Sequence, residues 1–347
     1  MEESNTQFEK RKRDHIRIAL DPRSQTAGQN GLDSVHLIHE ALPDLNFKEV
    51  DISTSFLFSN AAVELSSPIF VSSMTAGHEK GRAINEALAR LSDRRQILMG
   101  VGSQRRELDD PQAAEEWAQV RKQAPRARLL GNIGIAQLIR TPMDSIRKLM
   151  DSTEALGMFV HLNSLQEILQ PEGTPEFKEG LKAIENLVKL SAIPVIVKEV
   201  GCGFSEATLK RLAGAGVAAV DVAGKGGTHW GRVEGYRSEE NELLFKVAQT
   251  FANWGYSTAE SVANAKKAGI NYQIWASGGV RSGLDVAKLI ALGAQKVGMA
   301  QPFLEAALRG DEALDNLMNQ LELELKTSLF CTGCRTIEEL QTKMVVQ

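Results

Sequence analysis

Cysteine and aromatic residues are scarce in this sequence. The 347 residues include three cysteines, Cys202, Cys331 and Cys334. That is too few, and an odd number, for a disulfide framework, and such usage fits a reducing compartment. Aromatic residues make up 5% of the chain, which argues against stacking platforms for single-stranded nucleic acid. Neither sign of charge dominates: 40 Lys and Arg stand against 44 Asp and Glu, a net charge of −4. That balance offers no electrostatic basis for binding nucleic acid or a membrane surface. No run approaches the ~18 consecutive apolar residues of a spanning helix. The opening MEESNTQFEKRKRDH has no apolar core of a secretory signal, so a cytoplasmic protein is expected. What the chain does have is 43% hydrophobic against 24% charged residues and 29 glycines, enough for a sizeable core with many tight turns.

Length alone, at roughly 150 residues per domain, suggests two domains, but α/β barrels routinely exceed that as one unit. From about residue 67, short β-branched runs alternate with amphipathic helical patterns. The strand candidates are 68–72, 98–102, 129–134, 158–163, 194–200, 218–224, 273–279 and 296–300. Helical patterns lie between them at 81–95, 111–123, 205–215, 258–268 and 282–292. Continuous apolar strands each followed by a helix imply parallel strands buried on both faces. Eight such units predict an α/β fold, a closed (β/α)8 TIM barrel, over residues 67–310. A doubly wound open sheet is the alternative. Against it, polar residues stand at nearly every strand end: Ser72 and Thr75, Ser103, Asn132, His161 and Asn163, Lys198 and Glu199, Thr228, Ser277. Barrel active sites are built at that rim. Residues 1–66 read as an N-terminal extension folded on the barrel, 225–257 as a long loop and candidate lid, and 311–347 as one or two C-terminal helices of the same domain.

The seventh strand leads into Ser277-Gly278-Gly279-Val280-Arg281 and the eighth into Gly298-Met299-Ala300-Gln301, each opening a helix. Glycines admit a ligand close to the backbone, and helix N-termini favour anions, so the two loops together point to phosphate. Taken singly, each could be no more than a tight turn. Gly224-Lys225-Gly226-Gly227-Thr228 adds a third glycine-rich turn without the spacing of a P-loop. Lys198, near the end of an apolar strand, needs a negative partner: a carboxylate, a Schiff-base substrate or an electron-rich ring. A pair with Glu199 is disfavoured because neighbouring strand residues point to opposite faces. His161 and Asn163 share a face, with Gln166 and Glu167 above them. One carboxylate beside amide and imidazole groups suits a hard cation such as Mg²⁺ held together with a phosphate. Alone, Glu167 could equally be the first turn of a helix. Cys331 and Cys334 form a single CxxC without a second pair, a poor zinc site. His36, His39 and His78 have no partner pattern.

In combination these segments resemble the type 2, FMN-dependent isopentenyl diphosphate isomerases over nearly the full chain. The resemblance rests on Arg11-Lys12-x-x-His15, Ser73-Met74-Thr75-Ala76-Gly77, Gly102-Ser103-Gln104-Arg105, Gly131-Asn132-Ile133-Gly134, HLNSLQE at 161–167 and PVIVKEVG at 194–201, with the two glycine turns at 224–228 and 277–281. It implies that Ser73, Met74, Thr75, Ser103, Asn132, Lys198 and Thr228 contact the flavin ring and ribityl chain. Gly279, Val280, Arg281, Ala300 and Gln301 would cradle its phosphate. Arg11, Lys12, His15, Arg105, His161 and Asn163 would bind the substrate diphosphate, Glu167 would hold Mg²⁺, and Gln166 would stand by the carbon skeleton. Gln166 and Lys198 are the residues it marks as catalytic. It further implies interconversion of isopentenyl and dimethylallyl diphosphate, NADPH or NADH as flavin reductant, and homotetramers or homo-octamers. Two positions depart from the pattern: Ala76 replaces a usual second glycine, and His229 stands where a small hydroxyl residue is common. The rival readings are an FMN-dependent 2-hydroxy acid oxidase or dehydrogenase on the same barrel, and a non-catalytic flavin- or phosphate-binding barrel.

Overall fold

The eight apolar runs all become strands. The computed structural model describes residues 5–58, 61–74, 79–341 and 343–346. The barrel strands are β1 (Ile69–Val71), β2 (Leu98–Gly100), β3 (Arg128–Gly134), β4 (Gly157–His161), β5 (Val195–Lys198), β6 (Ala219–Asp221), β7 (Gln273–Ser277) and β8 (Lys296–Met299). They pair in parallel and in chain order, and β8 returns to pair with β1, so the sheet closes and leaves no edge. The open-sheet alternative is thereby excluded. Helices follow the strands where the sequence pattern predicts them, among them Glu79–Arg95, Pro111–Gln123, Glu206–Gly214, Thr258–Ala268 and Gly283–Leu292. Two are closed by capping boxes, Ser257 with Glu260 and Ser282 with Asp285.

The lower half of the barrel is filled by Phe70, Leu98, Leu130, Phe159, Ile196 and Trp275, all fully buried. The ring centroids of Phe70 and Phe159 lie 5.2 and 6.0 Å from that of Trp275. Burying each such side chain stabilises by roughly 1.5–3 kcal/mol. The hairpin Thr54–Phe58/Ala61–Leu65 plugs this end, adding Phe56 and Leu65 to the same cluster. With the bottom sealed by hydrocarbon, the polar strand ends are left to the opposite mouth.

In the N-terminal stretch, the helix Asn5–Ala19 packs against a helix at Trp230–Arg237. The 225–257 stretch, expected as a long loop, contains two helices, Trp230–Arg237 and Glu242–Thr250. Two internal glycines and weak apolar periodicity disguise the first of them. The C-terminal stretch forms the predicted helices Asp311–Cys331 and Ile337–Leu340, and also an unforeseen strand, Met344–Val346, antiparallel to Val35–Leu37. No helix among the described residues is long and apolar enough to cross a membrane.

Candidate functional site

A cavity of about 1200 Å³, counting its open mouth, occupies the carboxyl-terminal end of the barrel. Ser73 and Met74 after β1, Ser103 and Arg105 after β2, and Asn132 on β3 line one side. His161, Asn163, Gln166 and Glu167 after β4 and Lys198 on β5 form its floor and far wall. Thr228, Gly279, Val280, Arg281, Ala300 and Gln301 complete the ring, and Arg11, Lys12 and His15 reach in from the N-terminal helix. Thr75, with its neighbours Ala76 and His78, lies outside the described residues. Every other residue singled out in the sequence as catalytic, cofactor-binding, substrate-binding or metal-binding faces this one cavity.

The loops after β7 and β8 are built around backbone that only glycine serves well. Gly278 and Gly279 have φ of 107° and 74°. A Cβ on Gly279 would run into the backbone of Gly226, so the glycine-rich turn at 224–228 packs directly on the loop after β7. Arg281 donates to the carbonyl of Val280 at 2.9 Å and to the side-chain oxygens of Gln25 and Gln301 at 3.1 and 2.7 Å. All three acceptors are neutral, which leaves the guanidinium charge available to an anion. Nearby, the hydroxyls of Ser72 and Ser73 and the Oδ1 of Asn163 are buried with no hydrogen-bond partner among the described residues. A buried polar atom without a partner is costly, and all three residues line the cavity. Glycine-cradled loops, an arginine held by neutral oxygens and orphaned polar groups together fit FMN, with its phosphate beside the β7 and β8 loops.

Three buried ionisable groups meet at the floor. Lys198 is in register with His161 on one side and Asp221 on the other. Its Nζ donates to the backbone carbonyl of Glu199 at 2.7 Å. Burial lowers the pKa of this ammonium, opposed first by Asp221 and then by Glu199. Asp221, absent from the sequence reading, accepts from Ser277 Oγ at 2.8 Å and is fully buried. Glu199 turns away from Lys198, as strand alternation requires, and accepts from the amides of Val200, Gly201 and Cys202. Burial pushes its carboxyl up to about 7 against those donors. Lys198 is thus a cation whose counter-charge sits on the neighbouring strand, leaving it able to face the cavity.

His161 Nδ1 lies 2.9 Å from Asn132 Oδ1, and the other end of that amide donates to the carbonyl of Val101. The amide orientation therefore puts the imidazole proton on Nδ1. Burial, with Lys198 and Lys12 nearby, lowers the pKa to about 3, so the ring is neutral with Nε2 as an acceptor. Glu167 is buried; Asn163 Nδ2 donates to its Oε1 at 3.0 Å and the Thr174 amide to its Oε2 at 2.5 Å. Among the described residues no three His, Cys, Asp or Glu side chains cluster as a metal cage. Glu167 with the unpartnered Asn163 Oδ1 offers two oxygens, which fits Mg²⁺ only if substrate phosphate and water complete its shell.

His15, on the N-terminal helix, is anchored by a residue the sequence gave no reason to single out. Glu234, fully buried on the helix after the third glycine turn, accepts from His15 Nε2 at 2.9 Å, Gln166 Nε2 at 3.0 Å and Arg237 Nη1 at 2.5 Å. Burial would raise its pKa, but those partners hold it at about 2. Trp230 meets the His15 ring edge-on at 4.9 Å. Arg237 also binds Glu172. Away from the cavity, Cys331 ends a helix and Cys334 is buried against Thr332, and among the described residues no further cysteine or histidine joins them in a metal-binding group. His36 and His39 are exposed.

The pattern of the FMN-dependent dehydrogenase family matches residues 140–347. The isopentenyl-diphosphate delta-isomerase of Bdellovibrio bacteriovorus is 75% identical over 347 residues, covering 100% of both chains. The protein of the same name from Legionella pneumophila (strain Corby) is 50% identical over 343 residues, 99% of each chain. That from a Nostoc species is 41% identical, covering 97% of this chain and 95% of its own. Among solved structures, a flavocytochrome b2 variant with benzoylformate superposes with a TM-score of 0.69 at 19% identity, over 94% of this chain and 80% of that one. A mandelate oxidase variant with 2-hydroxy-phenylacetamide gives 0.63 at 16% identity, over 100% and 99%. At such identities the likeness is one of fold.

Proposed function

The chain belongs to the FMN-dependent dehydrogenase family and, within it, to the type 2 isopentenyl-diphosphate delta-isomerases; from that premise we propose how it works. It interconverts isopentenyl and dimethylallyl diphosphate by a 1,3-proton shift, with Mg²⁺ on the diphosphate. Reduced FMN would supply an acid–base nitrogen beside the substrate's double bond, having been reduced beforehand by NADPH or NADH. The observation that carries this reading is the convergence of two anion sites on one cavity: the glycine loops with Arg281 on one side, and the Arg11, Lys12 and His15 cluster on the other. One suits a cofactor phosphate and the other a substrate diphosphate.

The chain's own residues then have distinct tasks. Lys198 holds positive charge at the floor, where an electron-rich ring is favoured over a neutral one. Arg11, Lys12 and Arg105 supply charge-assisted donors to the diphosphate. His161, neutral and fixed by Asn132, offers Nε2 to a proton-bearing or metal-bound group. Glu167 and Asn163 supply oxygens to Mg²⁺. Gln166, tied to Glu234, is held where it can hydrogen-bond near the carbon skeleton without itself ionising. The hydrocarbon-filled barrel bottom closes the cavity below, and the N-terminal helix lines its mouth.

Oxidation of a 2-hydroxy acid is disfavoured by the same geometry. A histidine base needs a raised affinity for protons, usually from a carboxylate, whereas His161 is partnered by an amide and its pKa is lowered to about 3. The purified protein should show a flavin absorption band. After a single anaerobic reduction it should turn over many molecules of isopentenyl diphosphate without stoichiometric NADPH consumption, and in deuterated water it should label both product and recovered substrate. Turnover with oxidised flavin throughout, or product without solvent deuterium, overturns the mechanism. Self-association as a tetramer or octamer follows from the family resemblance, and sedimentation would measure it.

A further inference from the structure

The substrate-binding arm and the proposed cofactor-phosphate loops meet at one buried side chain. Gln25 is 8% exposed and lies just beyond the N-terminal helix. Its Nε2 donates to the carbonyl of Ala19, the last residue of that helix, at 2.9 Å, and to Thr228 Oγ1 at 3.0 Å. Its Oε1 accepts from Arg281 Nη2 at 3.1 Å. The amide cannot be turned round, because Arg281 can only donate and the Ala19 carbonyl can only accept. Main-chain bonds hold the segment in the same place: Thr26 N to Gly227 O at 2.8 Å, Gly226 N to Thr26 Oγ1 at 2.8 Å, and His229 N to Ser24 O at 2.9 Å. Gln25 thus touches the end of the helix that carries Arg11, Lys12 and His15, and also Thr228, placed by the flavin ring and ribityl chain, and Arg281, placed at the cofactor phosphate.

We propose that Gln25 is a positioning residue that couples phosphate occupancy of the cofactor loops to seating of the substrate-binding N-terminal helix. The inference rests on the reading of those loops as the FMN phosphate site. A phosphate against Arg281 fixes the guanidinium by charge-assisted bonds. The fixed guanidinium holds the Gln25 oxygen, and the amide nitrogen on the same side chain then holds the last carbonyl of the helix. Each link is one hydrogen bond, and the chain has only two. Coupling is reciprocal, so a seated arm also tightens phosphate binding. The consequence is an order of assembly: the diphosphate cations come to the mouth chiefly in molecules already loaded with cofactor.

The test compares FMN with riboflavin, which has the same ring and lacks the phosphate. Full-length apoprotein is saturated with either flavin, binding is followed by absorbance, and amide hydrogen exchange is read over residues 10–19. FMN should slow that exchange about fivefold or more relative to apoprotein, and riboflavin should leave it unchanged. Gln25→Ala should bind FMN without slowing the arm. Gln25→Glu should do likewise, since it keeps an oxygen for Arg281 but loses the donor to Ala19. Equal slowing by both flavins, or slowing that survives in either variant, overturns the coupling. If a variant does not fold, the FMN–riboflavin comparison in the unaltered chain decides. Absence of flavin binding by the unaltered chain would overturn the cofactor reading and the inference together. Binding with an arm indifferent to phosphate would overturn the inference alone.

Discussion

His15 Nε2 lies 2.9 Å from Oε1 of Glu234, although 219 positions separate the two residues. A carboxylate can only accept, so the imidazole proton sits on Nε2 and Nδ1 is directed elsewhere. Gln166 reaches the same oxygen at 3.0 Å. One buried carboxylate therefore sets the position of His15, proposed to bind the substrate from the arm, and of the amide proposed beside the carbon skeleton. Arg237 neutralises it.

Glu234→Gln should unsettle both. The replacement keeps one oxygen but points an amide nitrogen at Arg237, a donor against a donor, inside protein. Breaking a buried ion pair costs roughly 3–5 kcal/mol; the low end is expected because Arg237 keeps Glu172. Denaturant unfolding should show a loss of about 3 kcal/mol. KM for isopentenyl diphosphate should rise at least about tenfold, as when one buried hydrogen-bonded partner worth ~1.4 kcal/mol or more is lost. Parent KM and stability would dissociate Glu234 from the arm.

Glu167→Gln tests the cation. The amide preserves shape and keeps one of the two bonds, from Asn163 or from Thr174, but removes the anionic charge beside Asn163 Oδ1. FMN should remain bound, and the Mg²⁺ concentration for half-maximal activity should rise at least about tenfold. An unchanged Mg²⁺ titration at the parent rate would remove Glu167 from the metal.

Much of this was legible in the chain. The barrel was, because each βα unit carries its own local signal: a β-branched run, then a capped amphipathic helix. Ser257 with Glu260 and Ser282 with Asp285 mark helix starts without reference to anything distant. The phosphate loops were legible for the same reason, since glycine's backbone freedom is a local need. Asp221, Glu234 and Gln25 were not. Asp221 stands in the run AAVDVAG, where its partner Ser277 is 56 positions away. Glu234 reads as a surface residue in GRVEGYR, and Gln25 as part of a polar turn, until Ala19, Thr228 and Arg281 close on it. The strand Met344–Val346 was hidden likewise, because its partner lies at Val35–Leu37.

Removing residues 1–15 should separate substrate binding from cofactor binding. The deletion takes away Arg11, Lys12 and His15 while leaving Gln25, Thr228 and Arg281 in contact. The protein should stay folded and yellow, with KM raised at least about tenfold by the loss of charge-assisted donors worth ~1.5–3 kcal/mol each. Unchanged kinetics would leave Arg11, Lys12 and His15 as buried packing residues with no part in substrate binding.

His229→Ser should flatten the acid side of the stability profile. His229 caps the helix that carries Trp230 and Glu234: its Nδ1 accepts from the Arg232 amide at 3.3 Å, and its Nε2 lies 3.2 Å from the carbonyl of Trp254. The ring is therefore neutral, with the proton on Nε2. Burial lowers its pKa to about 4, reinforced by Arg232 and Lys225 against the Trp254 carbonyl. In the unfolded chain the same group titrates near 6.5. Between those values the unfolded state binds more protons than the folded one, so stability falls as pH falls. The contribution is complete above about pH 6.5 and declines toward pH 4, amounting to about 1 kcal/mol lost by pH 5.5. Protonation of Nδ1 would also remove the cap's acceptor. Serine is an effective N-cap and does not titrate, so the variant keeps the helix start and lacks the proton uptake. Urea unfolding at pH 7.5 and 5.5 should give a difference smaller by about 1 kcal/mol in His229→Ser than in the parent. Equal differences would mean that His229 takes up its proton at the same pH in the fold as in the unfolded chain, and that its ring does not cap the helix bearing Glu234.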